Sequence, residues 1–282
     1  MASTTAGLTE AVLYDALVNY LVSMARTVEG AMNRALDALT SLDSTRTSAL
    51  PGEVFLLEPR INEMEIVIDE HAIRLLRRGS FSDDEMRLIV AALKITNDLE
   101  RIGDLAVNLA QGAISLREIP GARIPEELVP MALAVRAMVS KSLGALIFRN
   151  VEMATQVLES DDVVDQYRDR IFENLLASMT QQATLVSSGM QFILATRHLE
   201  RIADHATNIA EDIIFWVRGL DVRHGRGLTM CTDRSEEQSS SGIAGENPRE
   251  SPAVTPPEAA TVIENSHAFD ASVTPACDTE RV

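Results

Sequence analysis

Aromatic residues are scarce in this 282-residue chain: Phe, Trp and Tyr together make up 4%, with a single tryptophan. A core of that composition must rest on Leu, Ile, Val, Ala and Met, a palette that suits helix packing better than stacked sheets. Cysteine is nearly missing. The two present, Cys231 and Cys277, both lie near the C-terminal end, which excludes a disulfide framework or a cysteine-based zinc site and suits a reducing compartment. Positive charge is short as well, with 25 Lys and Arg against 42 Asp and Glu, a net charge of −17. Nucleic acid is therefore an unfavourable partner, because phosphate backbones are bound by clustered Lys and Arg. Cations, or a basic surface on another protein, fit better. The most apolar long window, residues 131–148, is interrupted by Arg136 and Lys141 and falls short of a clean membrane span, so no direct membrane insertion is expected. The first residues show no basic-then-apolar leader, and the expected location is cytoplasmic. No Gly-rich phosphate loop precedes a helix, and no Ser/His/Asp or Cys/His set stands out, so no catalytic residue is assigned and an enzyme is not expected.

What the chain does have is a repeat. The sequence Leu-Glu-Arg-Ile-x-Asp-x-Ala-x-Asn-x-Ala begins at Leu99 and again at Leu199, so eight positions match at an offset of one hundred residues. Two helical units of about a hundred residues each follow from that duplication.

The periodicity predicts six helices in two groups of three, an all-α chain of two tandem three-helix bundles. In the first unit, residues 1–119, helices are expected over 8–42, 54–78 and 82–117. Ser82 is the N-cap of the third, with Asp83, Asp84 and Glu85 in its first turn. Pro59 is expected to delay the regular part of the second helix. Residues 119–125, with two prolines and a glycine, form the joint. In the second unit, residues 125–219, helices are expected over 126–148, 151–180 and 183–218, the last stopped by Gly219. Residues 220–282 turn to Ser, Pro and scattered acids, the composition of a disordered acidic tail. Glu264 and His267 in that tail have the spacing of a di-iron ligand pair, but without a second copy they are read as coincidence.

The repeated polar positions share one helix face. Glu100, Asp104 and Asn108 are four apart and lie nearly opposite Leu99, Ile102, Ala106, Leu109 and Ala113. The same wheel places Glu200, Asp204, Asn208 and Glu211 opposite Leu199, Ile202, Ala206, Ile209 and Ile213. A second pair of acids precedes each stripe, Glu65 with Asp69 and Asp161 with Asp165, flanking apolar positions on the helix before. If consecutive helices pack antiparallel, four carboxylates in each unit converge on one outward groove. Such an oxygen-rich set suits divalent or trivalent cations. A solvated acidic face is the plainer alternative, because like charges at this spacing cost only about 0.2–0.5 kcal/mol per pair. Arg101 and Arg201, beside the stripes, are expected to pair with neighbouring carboxylates, and Trp216 to anchor the last turn of the final helix. His205 adjoins Asp204 but is rotated by about 100° from it on the helix, which disfavours a shared ion.

At these positions the chain resembles the PhoU family of phosphate-transport regulators. The family's mark is a pair of Glu/Asp-x-x-x-Asp motifs in each of two three-helix repeats. Here they read Glu65-Ile-Val-Ile-Asp69 with Glu100-Arg-Ile-Gly-Asp104, and Asp161-Asp-Val-Val-Asp165 with Glu200-Arg-Ile-Ala-Asp204. The first repeat departs from the second, with Leu105 and Gln111 where the second has His205 and Glu211. The resemblance covers residues 8–219. It implies two stacked three-helix bundles with a multinuclear iron or zinc cluster at the motif surface, other divalent cations being alternatives, and Asn108, Asn208, Glu211, Arg101 and Arg201 as supporting neighbours. It further implies a negative regulator of phosphate uptake and of the phosphate-starvation response, acting through the ATPase of the phosphate ABC transporter and a phosphate-sensing histidine kinase, as a homo-oligomer. Two other functions compete. A ferritin-like carboxylate di-metal oxidase would need Glu-x-x-His pairs inside a bundle, and a metal-free helical adaptor would use the acidic stripes only to meet a basic partner.

Overall fold

The computed structural model describes residues 2–42, 44–79, 81–223 and 228–229. Seven α-helices carry nearly all of this backbone: α1 (Ala2–Leu39), α2 (Leu50–Leu76), α3 (Asp83–Glu118), α4 (Leu128–Phe148), α5 (Val151–Leu158), α6 (Asp161–Gln181) and α7 (Val186–Arg218). Helices α1, α2 and α3 pack on one another as one bundle, and α4 to α7 form the second. The bundles meet chiefly where α3 lies along α7, with α1 touching α4. Lys94 reaches Asp212 while Asp98 reaches His205, so α3 and α7 run antiparallel.

The stripes that the wheel opposes to the acids form the core. Leu99, Ile102, Ala106, Leu109 and Ala113 are fully buried, as are Leu199, Ile202, Ala206, Ile209 and Ile213. The starts and stops follow from local chemistry. The Ser82 side chain accepts from the Glu85 N–H, and the Glu85 carboxylate accepts from the Ser82 N–H at 2.8 Å, a reciprocal cap on α3. Gly219 takes the left-handed conformation (φ 67°) that ends α7. Trp216 is buried in the last turn of α7, with the Arg149 guanidinium 4.8 Å from its ring centroid.

Three expectations need correction. Pro59 does not delay α2, which already starts at Leu50 with Pro51 in its first turn. The Pro59 ring lies on the exposed side of the helix, so it costs one backbone hydrogen bond without disturbing the core. The helix expected over 151–180 is two helices, which gives the second bundle four. The Ser160 hydroxyl donates to the Gln156 carbonyl at 2.7 Å, and the Ser160 N–H turns to the Val157 carbonyl instead, which closes α5 and opens α6. Finally, the stretch read as tail from residue 220 begins with a short ladder, Leu220–Asp221 pairing antiparallel with Leu228–Thr229. The rest of that tail, with Cys231, Cys277, Glu264 and His267, lies outside the described residues.

Helix α4 is long and apolar enough to cross a bilayer by length and composition, with half of its apolar window buried in the protein. Its Arg136 donates to Asp37 of α1 at 2.5 Å.

Candidate functional site

The acids of each repeat sit on two neighbouring antiparallel helices. Gly103 makes the approach of α2 to α3 possible, because a Cβ there would lie 3.1 Å from Ile61 Cδ1. That contact sets Glu65 of α2 beside Glu100 and Asp104 of α3, with Asp69 acting on Glu65 from one turn further along α2. In the second repeat Asp161 and Asp165 of α6 face Glu200 and Asp204 of α7. The break at Ser160 makes the repeats unequal: Asp161 occupies the first turn of α6, whereas Glu65 lies in the middle of α2.

Crowding of like charge marks both surfaces. Burial and then the Asp69 charge, with Asp104 adding to them and Arg101 opposing, raise the Glu65 carboxyl above its ordinary value. Glu100 is raised by burial and by Asp104, with Glu65 contributing and Arg101 opposing. In the second repeat burial raises Asp161, followed by Asp204 and Asp165. Asp204 is raised by burial, Glu200 and Asp165, while His205 and Arg168 pull it down. One carboxyl in each of the four motifs is thus held above its usual range by surroundings that disfavour its charge.

Arginines supply the counter-charge. Arg101 lies 3.4 Å from Glu100 and 3.5 Å from Asp104, as the sequence leads one to expect. Arg201 is exposed and makes no ion pair among the described residues; after burial, it and Arg197 hold the His198 titration down. Its expected role falls to Arg168, which contacts Glu200 directly, Asp165 at 2.8 Å and Asp169 at 2.9 Å. Sequence reasoning missed Arg168. Its i,i+3 spacing from Asp165 was available as a signal, but the link to Glu200 crosses between helices.

The supporting neighbours divide. Asn108 is exposed on α3. Asn208 turns to the seam between bundles, where its amide donates to Asp98 at 3.4 Å. His205 Nδ1 lies 2.8 Å from the same Asp98 oxygen, so it serves the α3–α7 contact. Glu211 lines the adjoining groove with Lys94, Asp98, Asp212 and Arg223. Lys94, on α3, donates to the buried Asp212 at 3.0 Å. Asp98, Lys94 and Asp212 form a polar interface that the repeat pattern could not show, since their counterparts a hundred residues away are His198, Leu194 and Gly112.

A carboxylate-only donor set has the right chemistry for a hard cation, and crowding that raises four carboxyls would be relieved by one. The present arrangement is looser than a formed centre. Among the described residues no group of three or more His, Cys, Asp or Glu side chains is placed to hold a metal ion.

Comparison with known proteins adds independent findings. Residues 21–113 and 128–213 each match the model of the PhoU domain. The chain is similar to the phosphate-specific transport system accessory protein PhoU homolog of Pseudomonas aeruginosa, 36% identical over 219 residues that cover 77% of this chain and 88% of that protein. A homolog of the same description from Pseudomonas putida is 36% identical over 215 residues, covering 76% of this chain and 82% of its own. The crystal structure of PhoU from Pseudomonas aeruginosa superposes with a TM-score of 0.71 at 34% identity, covering 74% of this chain and 99% of that one. The phosphate transport system regulatory protein PhoU from Streptococcus pneumoniae shares the fold, with a TM-score of 0.68 at 23% identity over 76% of this chain and 99% of its own.

Proposed function

The chain belongs to the PhoU domain family, and from that membership we propose that it is an accessory, regulatory protein of a phosphate-specific transport system. The match of both repeats to the family carries this reading. In its finer form the protein restrains phosphate uptake and the starvation response from the cytoplasm, without catalysis. It does so as a homo-oligomer, by contact with the transporter ATPase and a phosphate-sensing kinase.

We further propose that the two acidic surfaces take up cations, iron or zinc before other divalent ions. Glu65, Asp69, Glu100 and Asp104 would hold one group, and Asp161, Asp165, Glu200 and Asp204 the other. A bound cation would supply positive charge where the carboxyls repel one another, and Arg101 and Arg168 would give up part of their pairing to it. A metal-free adaptor is the second reading, favoured by the position of Arg168 among Asp165, Asp169 and Glu200. The oxidase alternative is weaker, since the acids lie on the outer faces of the helices and not inside a bundle.

The regulatory reading is tested by deleting the gene in its host and measuring phosphate uptake in phosphate-replete medium. Uptake should rise in the deletion and return to its restrained level when the wild-type chain is restored. Unchanged uptake in the deletion strain would overturn it.

A further inference from the structure

We propose that a groove between α1 and α2 in the first repeat binds a small phosphoryl-bearing anion. The groove has a volume of about 450 Å³, and its walls carry three arginines, Arg26, Arg34 and Arg60. Ser23 lies four residues after Asn19, with Arg26 and Thr27 three and four residues after Ser23, so α1 presents them on one side, and α2 adds Leu57 and Arg60 from the other.

The arginines are not equivalent. Arg34 is committed to the scaffold: its Nε donates to Glu53 and its Nη1 to the Gly30 carbonyl, both at 2.8 Å. Gly30 permits that fold-back, because a Cβ there would lie 3.1 Å from Arg34 Nη1. Arg26 and Arg60 are exposed and make no ion pair or hydrogen bond among the described residues. Several other surface arginines, Arg201 among them, also make no ion pair among the described residues; what sets Arg26 and Arg60 apart is that both line one groove. Thr27 spends its hydroxyl proton on the Ser23 carbonyl at 3.0 Å, which leaves the Asn19 amide and the Ser23 hydroxyl as neutral donors beside them. Planar guanidinium forks with flanking neutral donors match the oxygens of a phosphoryl group.

The second repeat provides an internal comparison. Leu21, Val22, Met24, Ala25 and Val28 recur as Leu128, Val129, Met131, Ala132 and Val135, an offset of 107. At that offset Ser23, Arg26 and Thr27 correspond to Pro130, Leu133 and Ala134. At the offset of 96 that relates Glu65 to Asp161, Arg60 corresponds to Gln156. At the offset of 107 Asn19 corresponds to Glu126 and Arg34 to Lys141, so the second repeat keeps polar residues at some of these positions but has a counterpart of neither Arg26 nor Arg60. The two guanidinium groups are therefore particular to the first repeat, as a ligand of that repeat alone would require.

Inorganic phosphate and a phosphomonoester share the recognised chemistry, and Val22 and Leu57 on the wall would suit the organic part of the latter. The proposal does not depend on the regulatory reading above. It is tested by calorimetric titration of the full chain with inorganic phosphate and, separately, adenosine monophosphate, at constant ionic strength with chelator present. Saturable binding of either is expected, and the stronger of the two identifies the source. The Arg26→Gln/Arg60→Gln double variant should bind about tenfold more weakly or worse. Arg77→Gln/Arg78→Gln, which removes the same charge at the end of α2, should bind like the wild type. Absence of saturable binding to about 10 mM of both anions, or equal weakening by the two double variants, would overturn the proposal.

Discussion

Arg168 decides how much negative charge the second repeat carries without a cation. Its pairing with Asp165, Asp169 and Glu200 is a network around a half-exposed guanidinium, so its worth is modest. Arg168→Ala is expected to lower the stability of metal-free protein by about 0.5–1 kcal/mol, measured by denaturant unfolding in chelator, and added divalent cation should recover part of the loss. The raised carboxyls make a second expectation. A carboxyl whose folded-state value is raised keeps its proton over a range where the unfolded chain has released it. The stability due to Glu65, Glu100, Asp161 and Asp204 is therefore fully present below the ordinary carboxylate value and is lost as pH rises through the raised one. Glu100→Gln should flatten the fall in thermal midpoint between about pH 4 and pH 7, and an unchanged slope would remove this carboxyl from the crowded set. At this scale the acids were legible in the sequence because each is written twice. Arg168 was not, because its contact with Glu200 spans 32 positions and depends on how α6 is placed beside α7.

Helices report their limits through single side chains. The stripes opposite the acids, the cap at Ser82 and the stop at Gly219 could all be read from spacing and residue type, since each acts within a few residues of itself. The break at Ser160 could not, because a serine hydroxyl that bonds back four residues is compatible with a continuous helix as well as with a corner. Two contacts between helices carry testable weight. Gly103 lets α3 approach Ile61 of α2, and Gly103→Val should cost about 1–3 kcal/mol by overpacking, read from denaturant midpoints. Lys94 is the partner of Asp212, whose carboxyl burial raises while the Lys94 hydrogen bond lowers it. Lys94→Ala should destabilise by about 1–3 kcal/mol at neutral pH by leaving a buried carboxylate unpaired. The loss should shrink in acid, where Asp212 takes up a proton, and a loss independent of pH would assign the effect to packing alone.

Across the whole molecule, the duplication produces two bundles that share a frame but differ in what they display. Both present paired acids on adjoining helices. Only the first carries the unpaired arginines of the α1–α2 groove, and the seam of Asp98 with His205 and Lys94 with Asp212 joins the bundles through residues the repeat does not duplicate. The two acidic surfaces are the proposed cation sites, and the metal content of the purified chain reads them out. Protein exposed to iron or zinc and then freed of excess should be analysed for metal per chain as wild type, Glu100→Gln/Asp104→Asn and Glu200→Gln/Asp204→Asn, with helicity checked by circular dichroism. The expected result is bound metal in the wild type, loss of one repeat's share in each double variant, and unchanged helix content throughout. Wild-type protein that holds no metal, or double variants that keep all of it, would contradict the cation sites and leave the metal-free adaptor in their place.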